Sequence, residues 1–236
     1  MAITLGILGG MGPLATVDFI SKLIKLTPAQ CDQDHIPLLV HSVPQIPDRS
    51  ACLLQNKESP LYALQQGVEV LQNADACAIA IPCNTAHYWH PALVENSRIP
   101  IFHIAEICAN HLINERVHNV ALMATDGTLR AGIYAEKLHA AGIKLQLPNA
   151  SLQQQIMNAI YSVKSGQVDH GAALLEQAFT RLLEQGAERI ILGCTEIPLA
   201  LDRISINNRD LGVDATDLLA AFSVEWFLRQ TNRCAA

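Results

Sequence analysis

Apolar runs of strand length alternate along the chain with longer stretches in which apolar residues recur at helical spacing. The runs predict strands near 3–8, 36–43, 76–82, 99–103, 118–124, 143–147 and 189–193. The periodic stretches between them predict helices near 14–26, 60–73, 86–96, 104–114, 128–141, 151–163 and 170–186, with a last one near 215–230. This alternation is the pattern of parallel strands covered by helices, so the expected fold class is α/β.

An internal echo refines that picture. Leu5-Gly6-Ile7-Leu8-Gly9 runs into a glycine-rich turn, and Val120-Ala121-Leu122-Met123-Ala124 runs into Thr125-Asp126-Gly127-Thr128. From Gly9 to Cys83 is 74 residues, and from Ala124 to Cys194 is 70. Chance alignment of α/β elements is the bland alternative. Two half-chains of similar plan explain more, because each then offers a loop after its first strand and a thiol after a later one. Ligands bind outside the carboxyl ends of such strands, so two lobes facing one cleft is the expected arrangement.

The thiols stand in matching settings. Ile79-Ala80-Ile81-Pro82-Cys83-Asn84-Thr85-Ala86 and Ile190-Ile191-Leu192-Gly193-Cys194-Thr195-Glu196 each read as a buried strand delivering a cysteine, followed by small hydrogen-bonding residues. A thiol at a helix start can have its pKa lowered. A sulfur on each side of one carbon suits moving a proton from one face of that carbon to the other. Cys83 alone, with His87 as base, is the simpler nucleophile reading, but it leaves Cys194 unexplained. Cys31, Cys52, Cys77, Cys108 and Cys234 read as structural.

Composition narrows the function classes. The chain has 236 residues, 50% of them hydrophobic and 16% charged, enough for a substantial core. A net charge of −6 with no basic cluster argues against a nucleic-acid partner, and an anionic substrate would need specific Arg or Lys residues to hold it. No apolar stretch approaches the roughly 18 residues of a membrane span, and residues 1–10 read as a first strand rather than a signal peptide. Seven cysteines without Cys-x-x-Cys suggest neither a disulfide framework nor a zinc knuckle, and fit a reducing cytoplasm.

The remaining motifs are read against ordinary roles. Gly9-Gly10-Met11-Gly12-Pro13 follows a strand and precedes a helix, where glycines and helix-terminal amides suit a carboxylate ligand. Gly10-x-Gly12-x-x-Ala15 satisfies a loose dinucleotide fingerprint, but the second apolar run ends in His41-Ser42-Val43-Pro44 without the ribose-binding acid. His87 with His90, and His103 with Cys108, lack a third ligand at a recognisable spacing and read as structural, so no metal is expected. Arg49 lies on a proline-stiffened loop and Lys164 in a loop closing a helix; a paired cationic clamp is plausible beside the default of solvated surface charges.

Together, Gly9-Gly10-Met11-Gly12-Pro13, Pro44-Gln45-Ile46-Pro47-Asp48-Arg49, Pro82-Cys83-Asn84-Thr85-Ala86-His87 and Gly193-Cys194-Thr195-Glu196 resemble the aspartate/glutamate racemase family over nearly the whole chain. The resemblance implies two similar Rossmann-like lobes, with residues 1–98 plus 212–236 on the Cys83 side and 99–211 on the Cys194 side. It also implies a racemase with no pyridoxal phosphate, no other cofactor and no metal, acting on an acidic amino acid as a cytoplasmic homodimer. Cys83 and Cys194 match the acid/base cysteines, Arg49 and Lys164 the pair holding the side-chain carboxylate, and Met11, Asn84, Thr85, Thr125 and Thr195 the pocket lining, with Gly12 beside them. Sister activities on the same scaffold (maleate isomerase, hydantoin racemase, decarboxylase) are the alternative. A dinucleotide-dependent oxidoreductase and a non-catalytic amino-acid sensor are more distant ones.

Overall fold

The computed structural model of the chain describes residues 3–235, with side chains as far as Asn232; the side chain of Cys234 lies outside the described residues. The first half runs β1 (Leu5–Gly9), α1 (Pro13–Leu26), β2 (Leu38–Ser42), α2 (Arg49–Gln55), α3 (Leu61–Asn73), β3 (Ala78–Ala80) and α4 (His90–Glu95). Helix α5 (Ile104–Asn114) leads to the second half: β4 (Asn119–Ala124), α6 (Asp126–Ala131), α7 (Ile133–Ala140), β5 (Lys144–Gln146), α8 (Ala150–Lys164), α9 (Val168–Glu184), β6 (Arg189–Gly193) and α10 (Glu196–Leu201). The chain closes with β7 (Gly212–Asp214) and α11 (Ala215–Ala235).

Two parallel sheets result, ordered β2-β1-β3 and β5-β4-β6-β7. In each, the first strand of the half is central and flanked by the next two, so the internal echo in the sequence is an echo of topology. Cys83 follows β3 and Cys194 follows β6, the corresponding strands of the two sheets.

Side chains alternate across a strand, and the burial pattern uses both faces. Val120, Leu122 and Ala124 of β4 enter one apolar cluster, while Ala121 and Met123 enter another with α8 and α9. On β1, Leu5 and Ile7 join the first of these clusters and Leu8 joins a third, with Leu64, Val68 and Leu71 of α3. The first cluster is therefore shared: it takes one face of each sheet and fills the space between them with Phe19 and Leu23 of α1, Cys108 and Leu112 of α5, and Leu219 and Val224 of α11. A continuous core of this kind resists independent movement of the halves, because any shear would open voids along its length.

A partly buried ion cluster sits beside that core. Lys22 of α1 reaches Asp18 at 2.7 Å and Asp214, the last residue of β7, at 2.6 Å. Asp214 also accepts the backbone N–H groups of Thr216 and Asp217, so it anchors the start of α11.

Several expectations change. The strand expected at 99–103 is a single bridge, Ile79 to Ile101, because Pro100 has no N–H to extend the ladder and α5 begins at Ile104. The helix expected at 128–141 starts at Asp126 and breaks at Gly132, whose φ of 69° ends α6. The helix expected at 86–96 is a 3₁₀ turn, Thr85–Trp89, followed by α4. Helices α2 and α10 and strand β7 were not anticipated. The segment from Gly212 first adds β7 to the second sheet beside β6, and only α11 then packs on α1 and α5.

Candidate active site

The local chemistry of each sheet end delivers its cysteine. Strand β6 ends at Gly193, where an added Cβ would lie 2.7 Å from Leu122 Cδ1, so the strand can run close to β4 and release Cys194 at its tip. On the other side β3 ends at Ala80, and the chain turns through Pro82 with the Cys83 N–H bound to the Ile81 carbonyl at 2.8 Å.

Both thiols border one small, narrow cleft. Its walls are Met11, Asp48, Arg49, Ser50, Cys83, Asn84 and Thr85 from the first half, and Thr125, Lys164, Gly193, Cys194, Thr195 and Glu196 from the second. Nine of the ten residues singled out from the sequence therefore come together. The tenth, Gly12, stands just behind the wall as the N-cap of α1, and an added Cβ there would lie 3.9 Å from Glu196 Oε1. A larger hollow between α3 and α4, lined by Gln65, Glu69, Gln72 and Arg98, brings no thiol or acid–base pair together.

Within the glycine turn, Gly10 has a packing role. Gly10 has φ of 94° and passes so close to Val43 that a Cβ would sit 2.4 Å from its backbone. Its N–H is taken by Thr16 Oγ1 at 2.9 Å, so it is closed to a carboxylate. The turn packs β1 against the end of β2 and so holds Met11 in the cleft wall.

Asp48 caps α2, accepting the Ala51 N–H at 2.7 Å, and this places Arg49 on the first turn facing the cleft. The guanidinium donates to the carbonyls of Ile46 and Pro47, both at 3.1 Å, and more distantly to Met11 at 3.5 Å; its buried Nε has no protein partner. Lys164 closes α8 and lies 3.9 Å from Glu196 Oε1. Burial works against its charge, but Glu196 and then the charges of Cys194 and Cys83 outweigh this and raise its pKa above 10.5.

Glu196, weighed only loosely from the sequence, is central. Its Oε2 accepts from Cys194 Sγ at 3.0 Å and from Thr195 Oγ1 at 3.1 Å. Burial, then the Glu196 charge, holds the Cys194 thiol well above its ordinary pKa, while Lys164 pulls the other way. Cys194 therefore favours its thiol form.

Across the cleft the halves are joined by hydroxyls. Thr85 Oγ1 lies 3.2 Å from Thr125 Oγ1 and 2.8 Å from Thr128 Oγ1, with Thr125 and Thr128 at 3.0 Å. Above them Ser50 packs on Gly127, where a Cβ would fall 2.3 Å from Ser50 Oγ. Ser50 and Thr128 carried no local sequence signal; they matter because α2 and α6, distant in the chain, meet here.

The histidines are excluded from the chemistry. His87 is buried, with Nδ1 2.9 Å from the Cys83 carbonyl and Nε2 3.2 Å from that of Phe102, so it is engaged with main-chain oxygens rather than with the thiol. Burial, then the neighbouring His103 and His90, lowers its pKa to about 3. The reading of His87 as base for Cys83 fails on this geometry. The rings of His87, His90 and His103 lie within 6.0 Å of one another by centroid, and among the described residues no group of three or more His, Cys, Asp or Glu is arranged to hold a metal ion. Cys108 is buried in the shared core, its thiol pushed up to about 12 by burial.

Comparison with known proteins now decides the family: residues 8–222 match the family described as Asp/Glu/Hydantoin racemase. The chain belongs to this family. It is an isomerase of the amino-acid racemase type. The racemase is similar to the Picrophilus torridus aspartate racemase structure, with 31% identity, a TM-score of 0.86, and coverage of 96% of this chain and 94% of that one. It is 29% identical over 234 residues to the broad specificity amino-acid racemase RacX of Bacillus subtilis (strain 168), covering 95% of this chain and 98% of that protein. The glutamate racemase isoform RacE1 of Bacillus anthracis, at 18% identity and a TM-score of 0.69 over 98% of this chain and 82% of that one, shares the two-lobed fold. No helix among the described residues is long and apolar enough to cross a membrane.

Proposed function

We propose that this racemase interconverts L- and D-aspartate by proton transfer between Cys83 and Cys194, without pyridoxal phosphate. The observation that carries the reading is one cleft bordered by two thiols from corresponding strands and by two cationic side chains, Arg49 and Lys164. The 31% identity to an aspartate racemase over 96% of the chain supports the choice of substrate.

In the proposed reaction the substrate Cα lies between the sulfurs. Cys83, as thiolate, takes the α-proton and becomes a thiol. The Cα–H bonding pair stays on the substrate as a carbanion, delocalised into the α-carboxylate. Cys194, as thiol, then gives its proton to the opposite face of Cα and becomes a thiolate. The reverse direction exchanges these roles, so each turnover leaves the enzyme in the form that acts on the other enantiomer. The carbanion is the costly species. Hydrogen-bond donors aimed at the carboxylate lower that cost where charge develops, by about 3 kcal/mol each; Asn84, Thr85 and Thr195 are the side chains in the cleft suited to this. Arg49 and Lys164 hold the side-chain carboxylate, so binding at the far end of the substrate fixes the orientation of its Cα.

Purified protein, treated with a carbonyl scavenger against pyridoxal phosphate and with a chelator, is incubated with L-aspartate, L-glutamate and a neutral amino acid, and the enantiomers are followed by chiral chromatography. Conversion of aspartate in preference to the others is expected, and should disappear in Cys83→Ser and Cys194→Ser. Equal conversion of a neutral amino acid would point to broad specificity, and no conversion of any would point to a sister activity.

A further inference from the structure

We propose that Tyr134 is a positioning residue for the reaction, its hydroxyl fixing the Asn84 carboxamide so that the Asn84 NH₂ faces the substrate carboxylate. The inference rests on the proton-transfer reading above and adds a residue from outside the cleft wall.

Three observations lead to it. Asn84 lines the cleft and is buried, yet its Nδ2 has no protein partner. Buried amide donors are rarely left without a partner, and one on a residue that lines a reaction cleft is available to a ligand there. The other end of the carboxamide is engaged: Tyr134 Oη lies 2.5 Å from Asn84 Oδ1. That separation suits O–H···O and is too short for an amide N–H donating to the phenol, so the oxygen faces Tyr134 and the buried nitrogen is left without a protein partner.

The direction of the bond is fixed from behind. Tyr134 is fully buried on α7, and Cys108 Sγ of α5 lies 4.0 Å from its hydroxyl. Burial raises the pKa of both groups, Cys108 to about 12 and Tyr134 well above 10, so both keep their protons under ordinary conditions. The thiol can then donate to the phenol oxygen, the phenol to Asn84 Oδ1, and the Asn84 NH₂ to the substrate. Hydrogen bonds in such a chain polarise one another in the same direction, which strengthens the last donor. The chain also spans the molecule, since Tyr134 belongs to the second half and Asn84 to the first.

The test uses Tyr134→Phe, which removes the hydroxyl and keeps the ring. The side-chain amide resonances of Asn84, assigned by their loss in Asn84→Asp, are expected to shift or broaden in Tyr134→Phe. The racemisation kcat is expected to fall about tenfold with KM little changed, because the donor acts on charge that develops in the transition state. Unmoved Asn84 resonances, or moved resonances with wild-type kcat, would overturn the proposal. If the wild type failed to racemise aspartate, the functional reading would fall on its own and the resonances would still decide whether Tyr134 orients Asn84. If Tyr134→Phe did not fold, 3-fluorotyrosine at position 134 would keep a hydroxyl of altered donor strength on nearly the same ring, and the same resonances would be read.

Discussion

The thiol of Cys194 donates to the carboxylate of Glu196 at 3.0 Å. A carboxylate in that position stabilises the thiol and opposes the thiolate, so Glu196 helps keep the proton on Cys194. With Glu196 replaced by Gln the opposing charge is gone, while Lys164 remains to favour the thiolate. Alkylation of Cys194 by iodoacetamide, followed by peptide mass spectrometry across a pH series, should move to lower pH in Glu196→Gln. A profile identical to wild type would remove Glu196 from the control of the thiol.

The contact between Ser50 and Gly127 joins α2 to α6 beside the cleft. Gly127→Ala places a methyl group 2.3 Å from Ser50 Oγ and 2.8 Å from its Cα, so α2 and α6 must separate. Overpacking of this kind costs about 1–3 kcal/mol. Because α2 carries Arg49 at its start, KM should rise several-fold together with a drop in Tm. Steady-state kinetics and a thermal melt check both. An unchanged KM would mean that α2 holds Arg49 in place without α6.

Acid should weaken the fold through the histidine cluster. The folded-state pKa of His87 is about 3 and that of His103 about 4, both lowered first by burial from an ordinary 6.5. Between these values the unfolded chain binds more protons than the folded one, so stability rises with pH across that range. The contribution is fully present above pH 6.5 and is lost as pH falls through 4 and 3. Urea unfolding from pH 4 to 7 should show this slope, and His87→Gln should flatten it.

Lys22 makes the opposite prediction at high pH. Burial disfavours its charge, but Asp214 and Asp18 outweigh burial and raise its pKa above 10.5. Its contribution is present below 10.5 and is lost as pH rises through the folded-state value. Lys22→Ala leaves the half-buried Asp214 without its cation and should lower stability at neutral pH. Equilibrium unfolding measures both effects.

The α/β class, the two-lobed plan and both thiols were legible because each rests on an uninterrupted local signal. Ile190-Ile191-Leu192 cannot be anything but buried, and the cysteine at its end inherits a defined place. Short elements gave no such signal: α2, α10 and β7 are too brief for a period to emerge. Pro100 defeated the strand expected around it because one missing N–H outweighs apolar character. A glycine that permits close approach does not say what approaches, and at Gly10 it is the backbone of Val43. Tyr134, Ser50 and Thr128 could not be found from spacing, because each acts through a partner more than forty residues away.

The central claim is that two sulfurs work on opposite faces of one carbon, and it is tested most directly by racemising L-aspartate in D₂O and stopping early. The account predicts D-aspartate carrying deuterium at Cα, delivered by Cys194 after its thiol has exchanged with solvent, while the recovered L-aspartate keeps its protium. D-aspartate that retains the original protium would mean a single group carrying the proton across, and would contradict the account.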